Sequence, residues 1–377
     1  MCSVSYVNLT CTDDADGLNA QDQLWNRLIQ AFHQNPSYLY RFGDMTAFCR
    51  YLLGDEATEF LRDSFRFRSD FENSNAYAYM EFLEQDWNLF GTIYYPLQGM
   101  SQFAKRMMHT ATKNHRTKLY LNEEVLKIED NNDNNCYPFS IETPRYRVLA
   151  QQLVIAMDPS GWKNVIGSIA NEIKADKHFQ AIKAAKTVVI ESYWPRRWWE
   201  ESFISATTID RAWTKQNCIS FIEITSQQPE EKEQNLTRTV YDDGLCVELW
   251  SALIKRSSQN DLIEELLRGL RSIFIDVQIP PPSKTFTHVW TGAWHFQNAN
   301  SAVSNKNIFT WALNPLKRFT KDQLSLVGEA FYLDRATWID GAVKSSLISL
   351  TSQFNMKFNC FNNDAASGGQ FCSSNYV

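Results

Sequence analysis

One stretch carries side chains whose types and spacing could do chemistry together: G-E-A-F-Y-L-D-R-A-T-W-I-D-G-A-V-K-S-S-L, residues 328–347. Gly328-Glu329 places a carboxylate ten residues before Ile339, where a helix should open. Ile339, Val343, Leu347, Leu350 and Phe354 recur at spacings of three and four, which makes one apolar stripe. Asp340 falls where the helix dipole favours an anion and is spaced to pair with Lys344. Such a helix start belongs either to a plain core helix or to one that aims free amides, with Trp338 beside them, at an anionic or electron-rich ligand. Spacing alone favours the plain helix, because most helix N-termini bind nothing.

Other chemistries find little footing. The eight cysteines form no C-x-x-C, and no histidine stands at ligand spacing from them, so no zinc site is expected. At this density they read as ordinary thiols. There is no G-x-S-x-G, H-E-x-x-H or P-loop. Net charge is −6 and no lysine/arginine block stands out, which argues against nucleic acid. The N-terminus lacks the basic and apolar regions of a signal peptide. No run is long enough for a transmembrane segment. The 44% apolar content supplies a large core, and 14% aromatic content calls for broad packing surfaces, a ligand cavity, or both.

The elements that must position these residues fall into blocks of an α+β chain. Residues 1–93 read mostly helical, with Asn19 as a cap for a helix carrying Leu24, Trp25, Leu28, Ile29 and Phe32. Ser101 should cap another. The segment 118–130 predicts two short strands, 131–135 a turn, and 138–157 a hairpin followed by an apolar strand that ends at Asp158-Pro159. Residues 170–186 read as helix, 186–194 as strand, and 260–274 as an amphipathic helix capped by Asp261 and Glu264. The segments 285–290 and 307–313 read as strands, and 357–377 as a loose tail.

Several of these stretches, in order, resemble the flavin-containing amine oxidase family and its L-amino-acid-oxidase-like branch. They are "YYPLQGMSQFAKRMM" (94–108), "LYLNEEVLKIE" (119–129), "YRVLAQQLVIAMDPSGWKNVI" (146–166), "KTVVIESYWPRRWW" (186–199), "VWTGAWHF" (289–296) and the stretch at 328–347. The resemblance covers about 90–355. It implies a partial FAD-dependent amine oxidase fold of mixed α+β and α/β character. Interleaved FAD-side segments (94–165 and 320–356) would accompany a sheet-plus-helices substrate domain (1–93 and 166–319). The implied chemistry is oxidative deamination: hydride leaves the carbon beside an amine nitrogen for the flavin, and the imine is hydrolysed.

The resemblance also assigns residues. Val125 matches the strand position at the adenine, and Gly328 and Glu329 the segment beside the ribityl and diphosphate. Ile339 and Ala342 match the helix start at the flavin's pyrimidine edge, and Trp338 one wall of an aromatic slot for the amine. Trp294, with His295 and Phe296, would supply the other wall. His295 reads either as a proton relay or as a packed core histidine. Lys186 matches the lysine that holds a water at flavin N5, though a strand-edge lysine is normally solvated. An arginine for a substrate carboxylate stays open among Arg41, Arg50, Arg196 and Arg197.

The family's opening βαβ with G-x-G-x-x-G has no counterpart here. The chain holds only 14 glycines, and no two are separated by a single residue. Gln98, Thr337 and Ser346 stand where the family uses glycine or another small residue. The expectation is therefore an amine-oxidase-like chain that is not competent alone and that binds FAD only with a covering partner or a missing N-terminal half. The competing expectation is a degenerate, FAD-free homologue that serves as an accessory subunit.

Overall fold

The computed structural model describes residues 20–64, 67–87, 99–113, 117–131, 136–201, 211–214, 218–224, 235–256, 258–332 and 339–354. Asn19, Gln98, Thr337, Trp338, most of the predicted turn at 131–135 and the tail at 357–377 lie outside them.

A helical layer opens the described chain: α1 (Ala20–Gln34), α2 (Met45–Leu53), α3 (Asp55–Ser64), α4 (Arg68–Asn73) and α5 (Ala76–Trp87). Asp44 starts α2 by accepting from the Ala47 amide at 2.7 Å, and Gly54 stops it with φ of 85°, a conformation that favours glycine. Leu24, Trp25, Leu28, Met45, Phe48 and Phe71 close this layer's own core. Next comes α6 (Ser101–Lys113), which buries none of its residues.

A three-stranded antiparallel sheet follows: β1 (Lys127–Asp130), β2 (Phe139–Glu142) and β3 (Arg147–Ala150). The strand predicted around Lys118–Leu121 does not form. Leu119, Tyr120 and Leu121 are exposed, and Asn122 takes φ of 57°, which breaks an extended run. The apolar strand β4 (Leu153–Ile155) then pairs in parallel with the distant β10 (Leu324–Leu326). Ile128, Phe139, Ile155, Trp162, Leu324, Leu326 and Phe331 form one core around this pair.

Helices α7 (Ser168–Ala175) and α8 (Lys177–Gln180) are shorter than the predicted helix, because Ile182–Lys186 already belong to β5 (Ile182–Tyr193). Pairing of Ile182 through Ala185 with β9 (Lys284–Gln297) overrides the helix propensity of this alanine-rich run. A five-stranded antiparallel sheet has the order β6 (Arg211–Trp213), β7 (Phe221–Ile224), β8 (Leu236–Asp243), β5, β9. On it pack α9 (Leu245–Arg256) and α10 (Gln259–Ile273), and α10 buries Leu262, Leu266, Leu267 and Leu270. Each such leucine contributes about 2 kcal/mol of burial. The cap of α10 is not Asp261 with Glu264. Ser258 accepts from the Asp261 amide, and Asp261 accepts in return from the Ser258 amide.

Three further expectations are corrected. Residues 307–313 are not a strand but most of α11 (Asn305–Ala312): Ser304 caps it, and Ile308, Trp311 and Ala312 are buried at helical spacing. Helix α12 (Ile339–Phe354) does keep the Asp340–Lys344 pair, at 2.6 Å. Yet its inward face is Gly341, Ser345 and Ser349, while Ile339 is 63% and Val343 41% exposed. Small side chains let the helix lie close on the strand below, where Ser349 Oγ meets Ser325 Oγ at 2.5 Å. Finally, Cys218 and Cys246 are not free thiols but form a disulfide. No described helix is long and apolar enough to cross a membrane.

Candidate functional site

The parallel strands β4 and β10 both end in a carboxylate a few residues on. Asp158 begins the turn Pro159–Asn164, and Glu329 begins the turn Glu329–Phe331. The crevice beyond the carboxyl ends of parallel strands is a common place for ligands. Here a side chain from the antiparallel sheet enters it. His295 on β9 is 1% exposed and lies between the two carboxylates. Its Nδ1 contacts Glu329 Oε1, and its Nε2 lies 3.2 Å from Asp158 Oδ2. The second contact is off the line of a hydrogen bond and acts as an ion pair.

Local packing fixes this arrangement. Asp158 accepts from the Ser160 amide at 2.6 Å and from the Ser160 hydroxyl. Gly292 passes so close that an added Cβ would sit 2.9 Å from both Asp158 Oδ2 and Ser160 Oγ. Burial pushes His295 down, but its close contacts with Asp158 and Glu329 and their charges outweigh it and raise the imidazole to about 9. Burial pushes Asp158 up, yet the ion pair with His295 and the hydrogen bonds from Ser160 bring it to about 2. At neutral pH the imidazole is therefore protonated and Asp158 ionised.

Trp294 does not share this site. Neighbouring strand residues point to opposite faces, so it turns to the helical layer. Its Nε1 donates to Asp70 Oδ1 at 3.2 Å, and its ring centroid lies 4.4 Å from that of Phe67. There a second buried group collects. Asp243 accepts from the Ser69 amide at 2.9 Å and from the Ser69 hydroxyl, and Asp242 accepts from Ser220. Burial, with Asp243 nearby, raises Asp70 well above the usual carboxylate range. The same two causes raise Asp242 to about 7. Burial raises Asp243 to about 6. Among the described residues no group of histidine, cysteine, aspartate or glutamate could hold a metal ion.

The other predicted residues scatter. Lys186, at an irregularity where β5 shifts register against β9, is exposed and paired with Glu248 on α9 at 2.6 Å. Val125 packs half-buried on the core around β4 and β10. Gly328, at φ of 137°, donates its amide to Ser345 Oγ at 2.9 Å. The Ala342 carbonyl accepts from Ser345 and Ser346 hydroxyls, and Ile339 faces outward. Phe296 is buried, and Trp338 lies outside the described residues. None of the four arginines reaches His295. Arg41 lies over Tyr38, Arg50 pairs with Glu59 and Asp55, Arg196 with Glu201, and Arg197 with Glu200. Asp158 was legible only as the end of a strand; nothing in its spacing from His295 marks it as a partner.

The comparisons agree on the class. The family profile "Flavin containing amine oxidoreductase" matches residues 21–349. The chain belongs to that family. Its fold is similar to that of a putrescine oxidase double mutant from a redesign of cofactor binding (TM-score 0.63, 10% identity, 92% of this chain and 78% of that one). Wild-type putrescine oxidase bound to putrescine is similar at TM-score 0.62 and 11% identity, over 90% and 77% of the two chains. Cyclohexylamine oxidase from Brevibacterium oxydans IH-35A gives 0.60 and 13%, over 89% and 72%. No curated protein matches the sequence.

The described residues do not fit a flavin dinucleotide in this conformation. Glu329, the carboxylate assigned to the polyol chain, has one oxygen on His295 and the other buried without a partner among the described residues. The Gly328 amide is taken by Ser345. A diphosphate needs close-approaching glycine amides. The glycines closest together in the whole chain are Gly368 and Gly369, adjacent in the tail and outside the described residues, and the next closest are Gly161 and Gly167.

Proposed function

We propose that this chain is an amine-oxidase-like protein that neither holds FAD nor oxidises amines by itself, and that a second polypeptide covers its cofactor-side face. The observation that carries the reading is the state of Glu329, whose carboxylate is closed by an internal cation instead of standing open for a cofactor hydroxyl. The outward apolar face of α12, with Ile339 and Val343 exposed, supports a covering partner. A free-standing, FAD-free scaffold is the second reading. The surface pairing of Lys186 with Glu248 favours it, since that lysine is engaged by a carboxylate of α9. An L-amino acid or a simple amine is the substrate class of the assembled enzyme under the first reading.

The test is purification of the untagged chain, followed by an absorbance spectrum and an amine-dependent peroxide assay. The expected result is a colourless protein without turnover. Stoichiometric flavin with amine-dependent reduction overturns the reading.

A further inference from the structure

His295 reaches across from the antiparallel sheet into the crevice at the ends of β4 and β10, and both carboxylates there close on it. Among the described residues the charged groups that meet the imidazole are Asp158, from the turn after β4, and Glu329, from the turn after β10; Ser160 Oγ and the close backbone of Gly292 complete the contact with Asp158. Among the described residues Glu329 Oε2 is buried without a partner, an unfavourable state for an acceptor that a hydroxyl donor would relieve. The imidazole stands against that relief, because it pins Glu329 by Oε1.

We propose that the His295–Glu329 contact is an autoinhibitory plug: the side chain occupies the place of a polyol hydroxyl, and a flavin can seat its ribityl chain on Glu329 only when His295 withdraws. The ligand class rests on the flavin reading of Glu329, whereas the plug itself is read from the contact.

The experiment titrates riboflavin, and lumiflavin as a ring without the polyol, into the full chain by fluorescence quenching. Wild type, His295→Asn, and the Asp158→Asn/His295→Asn pair, which leaves one carboxylate without the imidazole where the single variant leaves two, are compared. Circular dichroism verifies folding. Relief of the plug should tighten riboflavin by about tenfold or more while leaving lumiflavin unchanged. Wild type should show the same gain for riboflavin as pH rises through about 9 and the imidazolium discharges, which supplies a readout if both variants unfold. Equal riboflavin affinity in folded variants and wild type, with no gain at high pH, overturns the plug even where the purified chain is colourless. Flavin already bound to the wild type would instead overturn the proposed function.

Discussion

Glu329 meets His295 Nδ1 across the seam between two sheets, one residue from the turn after β10 and the other from the edge strand β9. The contact joins a buried cation to a carboxylate with which it shares no sequence neighbourhood. Breaking a buried pair from one side leaves an uncompensated charge, which costs about 3–5 kcal/mol. Here two carboxylates would be left, so His295→Gln should destabilise the chain by about 3 kcal/mol or more, measured by urea unfolding at pH 7. A change under about 0.5 kcal/mol, the range of an ordinary surface substitution, would show that the pairing does not hold the seam.

The pH dependence has a defined sign. His295 is raised, so its contribution is complete below the unfolded value near 6.5 and lost as pH climbs through about 9. Asp158 is depressed, so its contribution is present above the unfolded value of about 3.9 and lost as pH falls through about 2. Wild-type stability should therefore decline from about pH 6.5 to 9, and His295→Gln should remove that decline. A variant that keeps the wild-type slope in this window would assign it to another group.

Asp242 works in the opposite sense to Asp158. Its folded value of about 7 means the native state keeps a proton that the unfolded chain has released, so stability falls between roughly pH 4 and 7. Asp242→Asn should flatten this part of the profile and stabilise the chain at pH 7. Loss of stability at pH 7 instead would mean that the ionised carboxylate is needed by Ser220.

Two substitutions separate a covered leucine from an uncovered isoleucine. Leu266 is fully buried in α10, and its replacement by Ala should cost about 3 kcal/mol. Ile339 is mostly exposed, and Ile339→Ser should change the isolated chain by less than about 0.5 kcal/mol. A large loss from Ile339→Ser in urea unfolding would mean that the face of α12 is already covered within this chain.

The Cys218–Cys246 disulfide closes a loop of sequence separation 28 and ties the start of α9 to the segment before β7. Chain-entropy arguments give about 3–4 kcal/mol for such a loop. The double Cys→Ser variant should unfold at correspondingly lower urea. Unchanged unfolding, with Cys218 and Cys246 both labelled as free thiols in the wild type, would contradict the bond.

Much of the scaffold was legible because its periodicity was undivided. The first helices and the strands from Phe139 to Ile155 follow from apolar spacing. The misreadings have physical causes. Ile308, Phe309, Thr310 and Trp311 are strand-prone by type, yet the cap at Ser304 and burial of Ile308, Trp311 and Ala312 on one side make a helix. The apolar stripe of α12 pointed to the wrong inward face, because the close approach of Ser325 to Ser349 selects small side chains. At the site, the two readings of His295 were both incomplete: it is buried, as a packed histidine would be, and charged, as a relay would be. Asp158 and Cys246 find their partners only through the tertiary fold, which no local spacing records.

The most direct measurement is the ultraviolet–visible spectrum of the purified full chain before and after incubation with excess FAD and gel filtration. Closure of Glu329 by His295 predicts no flavin bands in either sample. Bands at roughly one flavin per chain, surviving the column, would contradict it, since a cofactor held that firmly must have found a site that the His295–Glu329 contact does not close.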